Sequence, residues 1–399
     1  MRTFFYLLLT FISPIAIAQQ PTCLFDKNNT NEIPGLPYAG RLTEDSTTIY
    51  KIPVVVHVLH LRNPVGSQAN PAEATIIETL DYLNKSFRAQ WTGYPDTLNG
   101  GIDIRIEFVL ATGDRNGKPF NGIDRIDASG NIGYRDSAKI GREILLSTMW
   151  DKFRYFNIWI VYAISGGGGG FAAWPEPANA PIFNYEGAVL TAAIFKPGNP
   201  IVVHEVGHYL GLHHTWHPAF GATACPVNND CNNDGDLICD TEPHSEKISC
   251  DRIGTINPCT GQPYGNTLRN FMSYSLSSCF DRFTRMQKKR MREMISSLRP
   301  GVINNDLTRQ EPFPLNEFDG FHIAPTPNNG SFKVYFVAPV SGQLTISIRS
   351  MAGQIVYQTT VAANGLRTLP LNLNSLQRGM YIVTVEEGAT ALTNKTIVL

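Results

Sequence analysis

Ahead of Cys225 this 399-residue chain has a single cysteine, Cys23, which excludes a disulfide framework over most of its length. The other six of its seven cysteines crowd between Cys225 and Cys279, a density that reads as disulfides made in an oxidising compartment. Neither sign of charge is in excess. The 33 Lys and Arg against 34 Asp and Glu leave a net charge of -1, and no basic tract occurs, so the sequence lacks the footprint of a nucleic-acid binder. Long apolar runs are missing as well. The stretch from Phe4 to Ile12 is short for a bilayer and is followed by Pro14, and no other segment could span, so the mature form is expected to have no membrane span.

What is present begins with an export signal. Arg2, the apolar run and the small residues Ala16 and Ala18 make residues 1–18 a signal peptide cleaved after Ala18. Cys23 follows Pro21 and Thr22, which does not suit a lipid anchor. Residues 19–48 are polar and turn-rich, the composition of a pro-segment. With 43% hydrophobic and 17% charged residues, the remainder can bury more than one core.

The spacing predicts a central strand over 51–60, a helix over 72–91, a strand over 102–110, a helix over 136–149 and a buried strand over 155–164. That alternation indicates an α/β domain with a mixed sheet, spanning 49–300. Gly166 to Gly170 lack the Lys-Ser/Thr ending of a phosphate loop and read as a surface loop. A strand over 187–195 precedes the helix that carries the chemistry, and is a candidate edge for pairing with an extended substrate. Another helix covers 282–298, and a Pro- and Asn-rich linker occupies 301–320. Residues 321–399 have no cysteine and a series of short alternating runs, the pattern of a small all-β sandwich.

The decisive segment is HEVGHYLGLHH, residues 204–214. On a helix, His204 and His208 share one face and can offer their imidazoles to one zinc ion. Glu205 lies beside them, placed to act as general base toward a water on the metal. Gly211 permits positive φ, so the helix can end there and the chain can return with His214 as third ligand. Three protein ligands leave a fourth position open, the arrangement of a catalytic rather than a structural zinc. His213 and His217 have the wrong offset for ligands, and His57 and His60 are read as structural histidines of the first strand.

The extended motif together with NFMSYS, residues 270–275, is the signature of metzincins. Within that class, HEVGHYLGLHHT, GDLICDTEP, NFMSYS and SCFDRFT resemble the pappalysin family of secreted endopeptidases, over roughly residues 50–298. The resemblance implies a metzincin-type catalytic domain, with a mixed-sheet upper subdomain, an irregular lower subdomain and a cleft between them. It implies that Met272 packs under the site and that Tyr274 binds or polarises the scissile carbonyl. It implies structural calcium at Asp236, Asp240 and Thr241. DCNNDGDLICDTE only nearly meets the EF-hand pattern, since Thr241 stands where the final acid belongs and Glu242 comes one later. Among the fifteen pairings open to six cysteines, Cys239 included, the resemblance favours Cys250 with Cys279, then Cys259 with Cys225 or Cys231.

Two further residues follow from the same resemblance. Relatives that cut before Arg carry an acid three positions after the Met-turn tyrosine, where this chain has Ser277, so a weaker preference for basic residues is expected. Cys23, in the pro-segment, can occupy the open metal position as a thiolate and keep the enzyme latent. Finally, IAPTPNNGSFKVYF, ISIRSMAGQIVYQ and LNLNSLQRGMYIVTVEEG resemble the C-terminal sorting domain of the type IX secretion system, which implies secretion machinery as a partner besides protein or peptide substrates.

Overall fold

A computed structural model describes residues 47–398 except 91–96, 98–99, 114–118, 132–133, 135–140, 165–166, 176–184, 220–223, 232, 247, 276, 304–320, 325–329, 374–375 and 389. The signal peptide, the pro-segment up to residue 46 and Cys23 lie outside the described residues.

Strand β1 (Tyr50–His60) is the spine of the first sheet. Its β-branched residues are buried on both faces, as in a strand covered by layers on each side. Ile52, Val54, Val56 and Val58 face one core, and Leu59 faces another, which is the period-two alternation of a pleated strand. β2 (Ile106–Leu110) and β3 (Ile123–Asp127) run parallel along the same edge of β1, one beside Tyr50–Val54 and the other beside Val56–His60. On the opposite edge come β4 (Phe156–Val161) and then β6 (Gly187–Thr191), both parallel. The last strand on that side is β5 (Gly170–Ala173), antiparallel to β6. The sheet is therefore mixed.

This order corrects one expectation. The strand read over 187–195 is β6; it ends at Thr191 and is flanked by β4 and β5, so it is not the edge. The edge is β5, which begins at the last residue of the glycine run that had read as surface loop. Its sequence GFAA carries no alternation that could mark it as a strand.

Helix α1 (Glu73–Phe87) and helix α3 (Pro200–Tyr209) cover the β1 face built of Ile52 to Val58, through Ile76, Leu80, Leu83, Val202, Val203 and Val206. Helix α2 (Arg142–Thr148) contributes Leu145 to the core on the other face, together with Trp159. After α3, among the described residues up to 284, there is no long element, and 3-10 turns occur at Cys250–Arg252, Asn266–Arg269 and Ser277–Cys279. Three disulfides hold it: Cys225–Cys259, Cys231–Cys239 and Cys250–Cys279. Such crosslinks replace what a hydrogen-bonded ladder would supply, by restricting the unfolded chain.

Helix α4 (Arg285–Leu298) returns to the core with Met291, Met294 and Ile295. The core does not stop there. Pro300–Ile303 is a further helical turn, with Val302 fully buried in the same cluster, where the sequence reads as linker from 301. Arg299, also buried, donates from Nε to Glu186 Oε1 at 2.8 Å and so ties this turn to the approach of β6.

The C-terminal unit has its own core. β8 (Ser331–Ser350) and β9 (Ile355–Asn372) pair antiparallel along their length, with register shifts between Tyr335 and Gly342. β7 (Phe321–Ala324) pairs with the first half of β8, while β10 (Gly379–Glu387) pairs with the second half and carries β11 (Thr390–Val398). Phe332 and Val334 from one half share a single cluster with Ile346, Val383 and Val385 from the other, so the unit is sandwich-like.

Candidate metal centre

The site is built on α3. Asn199 caps it, accepting from the Ile201 amide at 3.1 Å, and Pro200 takes the first turn, where no amide hydrogen is needed. The other end is a Schellman motif: Gly211 adopts φ 90°, its amide reaches His208 O at 2.8 Å, and the Leu212 amide reaches Gly207 O at 3.1 Å. This reversal is what returns His214 to the helix.

His204, His208 and His214 meet with their Nε2 atoms 3.1 Å apart in every pair. His204 Nδ1 faces Phe271 O at 2.5 Å and His208 Nδ1 faces Leu212 O at 2.7 Å. A carbonyl only accepts, so both Nδ1 atoms carry the proton and both Nε2 atoms present bare lone pairs. Burial first, and the neighbouring imidazoles second, push His208 and His214 well below the ordinary histidine range, so they are neutral. The Nε2 atoms of His204 and His208 converge with Nε2 of the neutral His214, a donor set that suits a cation. A tetrahedral ion about 2.0–2.1 Å from each nitrogen would space them by about 3.3 Å, close to what is observed. Among the described residues these three form the metal-competent group of His, Cys, Asp and Glu donors.

Glu205 is fully buried, and Gly170 of β5 stands directly against it. Met272 is fully buried with its sulfur against Gly207 of the helix. The Met-turn is fixed by Asn270, whose Oδ1 accepts from the Met272 amide at 2.9 Å and whose side-chain amide exchanges hydrogen bonds with Gln287 on α4. Tyr274 is half-buried, its ring 4.5 Å from that of His214. The side chain of Ser277 lies outside the described residues, although its backbone begins the turn to Cys279.

His213 points away from the centre: it stacks on His217 at 4.2 Å and meets the edge of Trp174. His57 is a structural residue, buried between Asn157 Oδ1 at 2.9 Å and Asp124 Oδ2 at 3.3 Å. In the acidic loop, Thr241 Oγ1 donates to both oxygens of Asp236 at 2.9 and 2.8 Å. Burial raises the Asp236 carboxyl to a pKa of about 7. Asp240 is turned to the start of α4, accepting from Thr284 Oγ1 at 2.6 Å and the Met286 amide at 2.9 Å. Gly170 and Asn270 stand at the site although sequence reasoning did not single them out; the spacing of Asn270 to Met272 could have marked the second.

Residues 141–296 match the family described as "Pregnancy-associated plasma protein-A", and residues 322–399 match the "Secretion system C-terminal sorting domain". An extracellular metalloprotease of Pyricularia oryzae is 31% identical over 175 residues, 42% of this chain and 56% of that protein. This chain thus spans little more than half of that relative. Another extracellular metalloprotease, from Colletotrichum graminicola, is 30% identical over 263 residues, 63% of this chain and 80% of that protein. Mature mirolysin of Tannerella forsythia, solved in complex with a cleaved peptide, superposes with a TM-score of 0.53 at 27% identity, over 66% of this chain and 99% of that one.

Proposed function

Because this chain belongs to the pappalysin (pregnancy-associated plasma protein-A) family of metallopeptidases, we propose that it is an exported zinc-dependent endopeptidase acting on protein or peptide substrates. The observation that carries the reading is the convergence of three buried Nε2 atoms 3.1 Å apart on a helix that also bears a buried carboxylate, Glu205. His204, His208 and His214 would hold a zinc ion, which would supply Lewis acidity and lower the pKa of a bound water toward neutrality.

The chain's own residues do the rest. Glu205 takes a proton from the attacking water and returns it to the leaving amine. Tyr274, packed on His214, donates to the carbonyl oxygen as negative charge develops there. An extended substrate adds as a strand to the β5 edge, whose Gly170 packs directly against Glu205. The cleaved peptide held by mature mirolysin supports a peptide substrate for the related cleft.

Finer features extend this reading. The neutral Ser277 lowers any preference for Arg on the primed side, because a desolvated guanidinium lacks a carboxylate there. The buried Asp236 with Thr241 supports calcium in the loop 236–241, a cation offsetting what burial opposes. Residues 322–399 address the chain to secretion machinery. The direct test is degradation of casein by the secreted protein with and without a zinc chelator; cleavage unaffected by the chelator would overturn the proposal.

A further inference from the structure

His214 is held differently from its two partners. His204 and His208 ride on a helix, whereas His214 follows a reversal and sits in an irregular segment. The next residue, Thr215, is buried, and its amide and its hydroxyl are both committed to other parts of the chain. Its amide donates to Met272 O at 3.1 Å, in the Met-turn. Its hydroxyl lies 2.7 Å from Nε2 of His244, a fully buried histidine in the segment after the acidic loop.

The direction of that hydrogen bond follows from its neighbours. His244 Nδ1 faces the carbonyl of Ser245 at 2.9 Å and must donate to it, so Nε2 is bare and accepts from the Thr215 hydroxyl. Burial lowers the His244 pKa to about 4, in keeping with a neutral ring. The segment bearing His244 is itself anchored: Pro243 O accepts from Asn257 Nδ2 at 2.9 Å, and the Glu242 carboxylate accepts from the Gly265 amide at 2.6 Å.

We propose that His244 is a positioning residue for the metal centre, fixing the third ligand His214 through the Thr215 hydroxyl. It couples the disulfide-held lower segment to the ligand set, the kind of outer partner whose loss costs roughly 10–100-fold in metal affinity. The inference rests on the zinc reading of the three histidines.

The test measures zinc affinity of the full chain by competition with a chromophoric chelator, for the wild type and for Thr215→Val, Thr215→Ser, His244→Leu, His244→Gln and the double variant Thr215→Val/His244→Leu. Thr215→Val and His244→Leu should each weaken zinc binding about tenfold or more, and the double variant should be no weaker than either alone. Thr215→Ser and His244→Gln, which keep a donor and an acceptor, should bind within a fewfold of wild type. The visible spectrum of the cobalt-loaded Thr215→Val protein should differ from wild type in band position. Zinc affinity within twofold of wild type in Thr215→Val, or additive losses in the double variant, would overturn the proposal. If His244→Leu fails to fold, the near-isosteric Thr215→Val against Thr215→Ser decides alone. A wild type that binds no zinc would instead sink the zinc reading itself.

Discussion

Gly170 on the edge strand lies so close to Glu205 that a Cβ added to it would fall 2.8 Å from the Glu205 Cγ and 3.0 Å from its Oε1. The same atom would lie 3.0 Å from the buried Leu190 side chain, so there is no slack on the strand side either. Gly170→Ala should therefore displace the carboxylate or the edge. A misplacement of about 1 Å near reacting atoms can cost about a hundredfold, so kcat should fall at least tenfold while zinc content stays at the wild-type level. Steady-state kinetics with metal analysis checks this; wild-type kcat would show that the contact does not matter.

A second glycine records the fit between α3 and the Met-turn. A Cβ on Gly207 would fall 2.5 Å from the Met272 sulfur, with the Phe283 ring 3.5 Å away. Gly207→Ala should overpack this floor and lower stability by about 1–3 kcal/mol. In urea unfolding, pairing it with Met272→Ala should recover part of the loss; simple additivity would show that the two positions do not compete for the same space.

The histidine motif and the return of His214 to it were legible because the pattern is carried by side chains at fixed spacing around one helix. His204, His208 and His214 converge, and Gly211 reverses the chain with positive φ, as their spacing implied. Strand β1 was legible for a similar reason, its β-branched run being long enough to leave little choice. What escaped notice depends on contacts between distant segments. β5 has four small or unpatterned residues and becomes a strand only because β6 offers an edge. Gly170 matters through Glu205, and Thr215 through His244; neither pairing leaves a trace in local sequence. Val302 belongs to the core although its Pro- and Gly-containing surroundings read as linker.

Calcium should stabilise the catalytic unit through the loop 236–241, since binding to the folded state alone raises its stability with the logarithm of one plus the ratio of free calcium to its Kd. Adding millimolar calcium to the zinc-loaded, calcium-stripped protein should raise Tm by several degrees, and Asp236→Asn should abolish the rise. An unchanged Tm in the wild type would count against calcium at this loop.

The clusters around Val56 and around Ile346 share no residue, so the C-terminal unit has a core of its own. Removing residues 321–399 should leave an active peptidase that the cell fails to release, with activity recovered from the periplasm. Normal appearance of that truncated chain outside the cell would refute a sorting role for the segment.

The most direct measurement concerns Glu205. Glu205→Ala removes the proposed base and leaves all three histidines in place. The purified variant should be folded, hold one zinc per chain as wild type does, and cleave casein on the order of a hundredfold to ten-thousandfold more slowly. A zinc-loaded Glu205→Ala protein that cleaves casein at the wild-type rate would contradict the proposed mechanism.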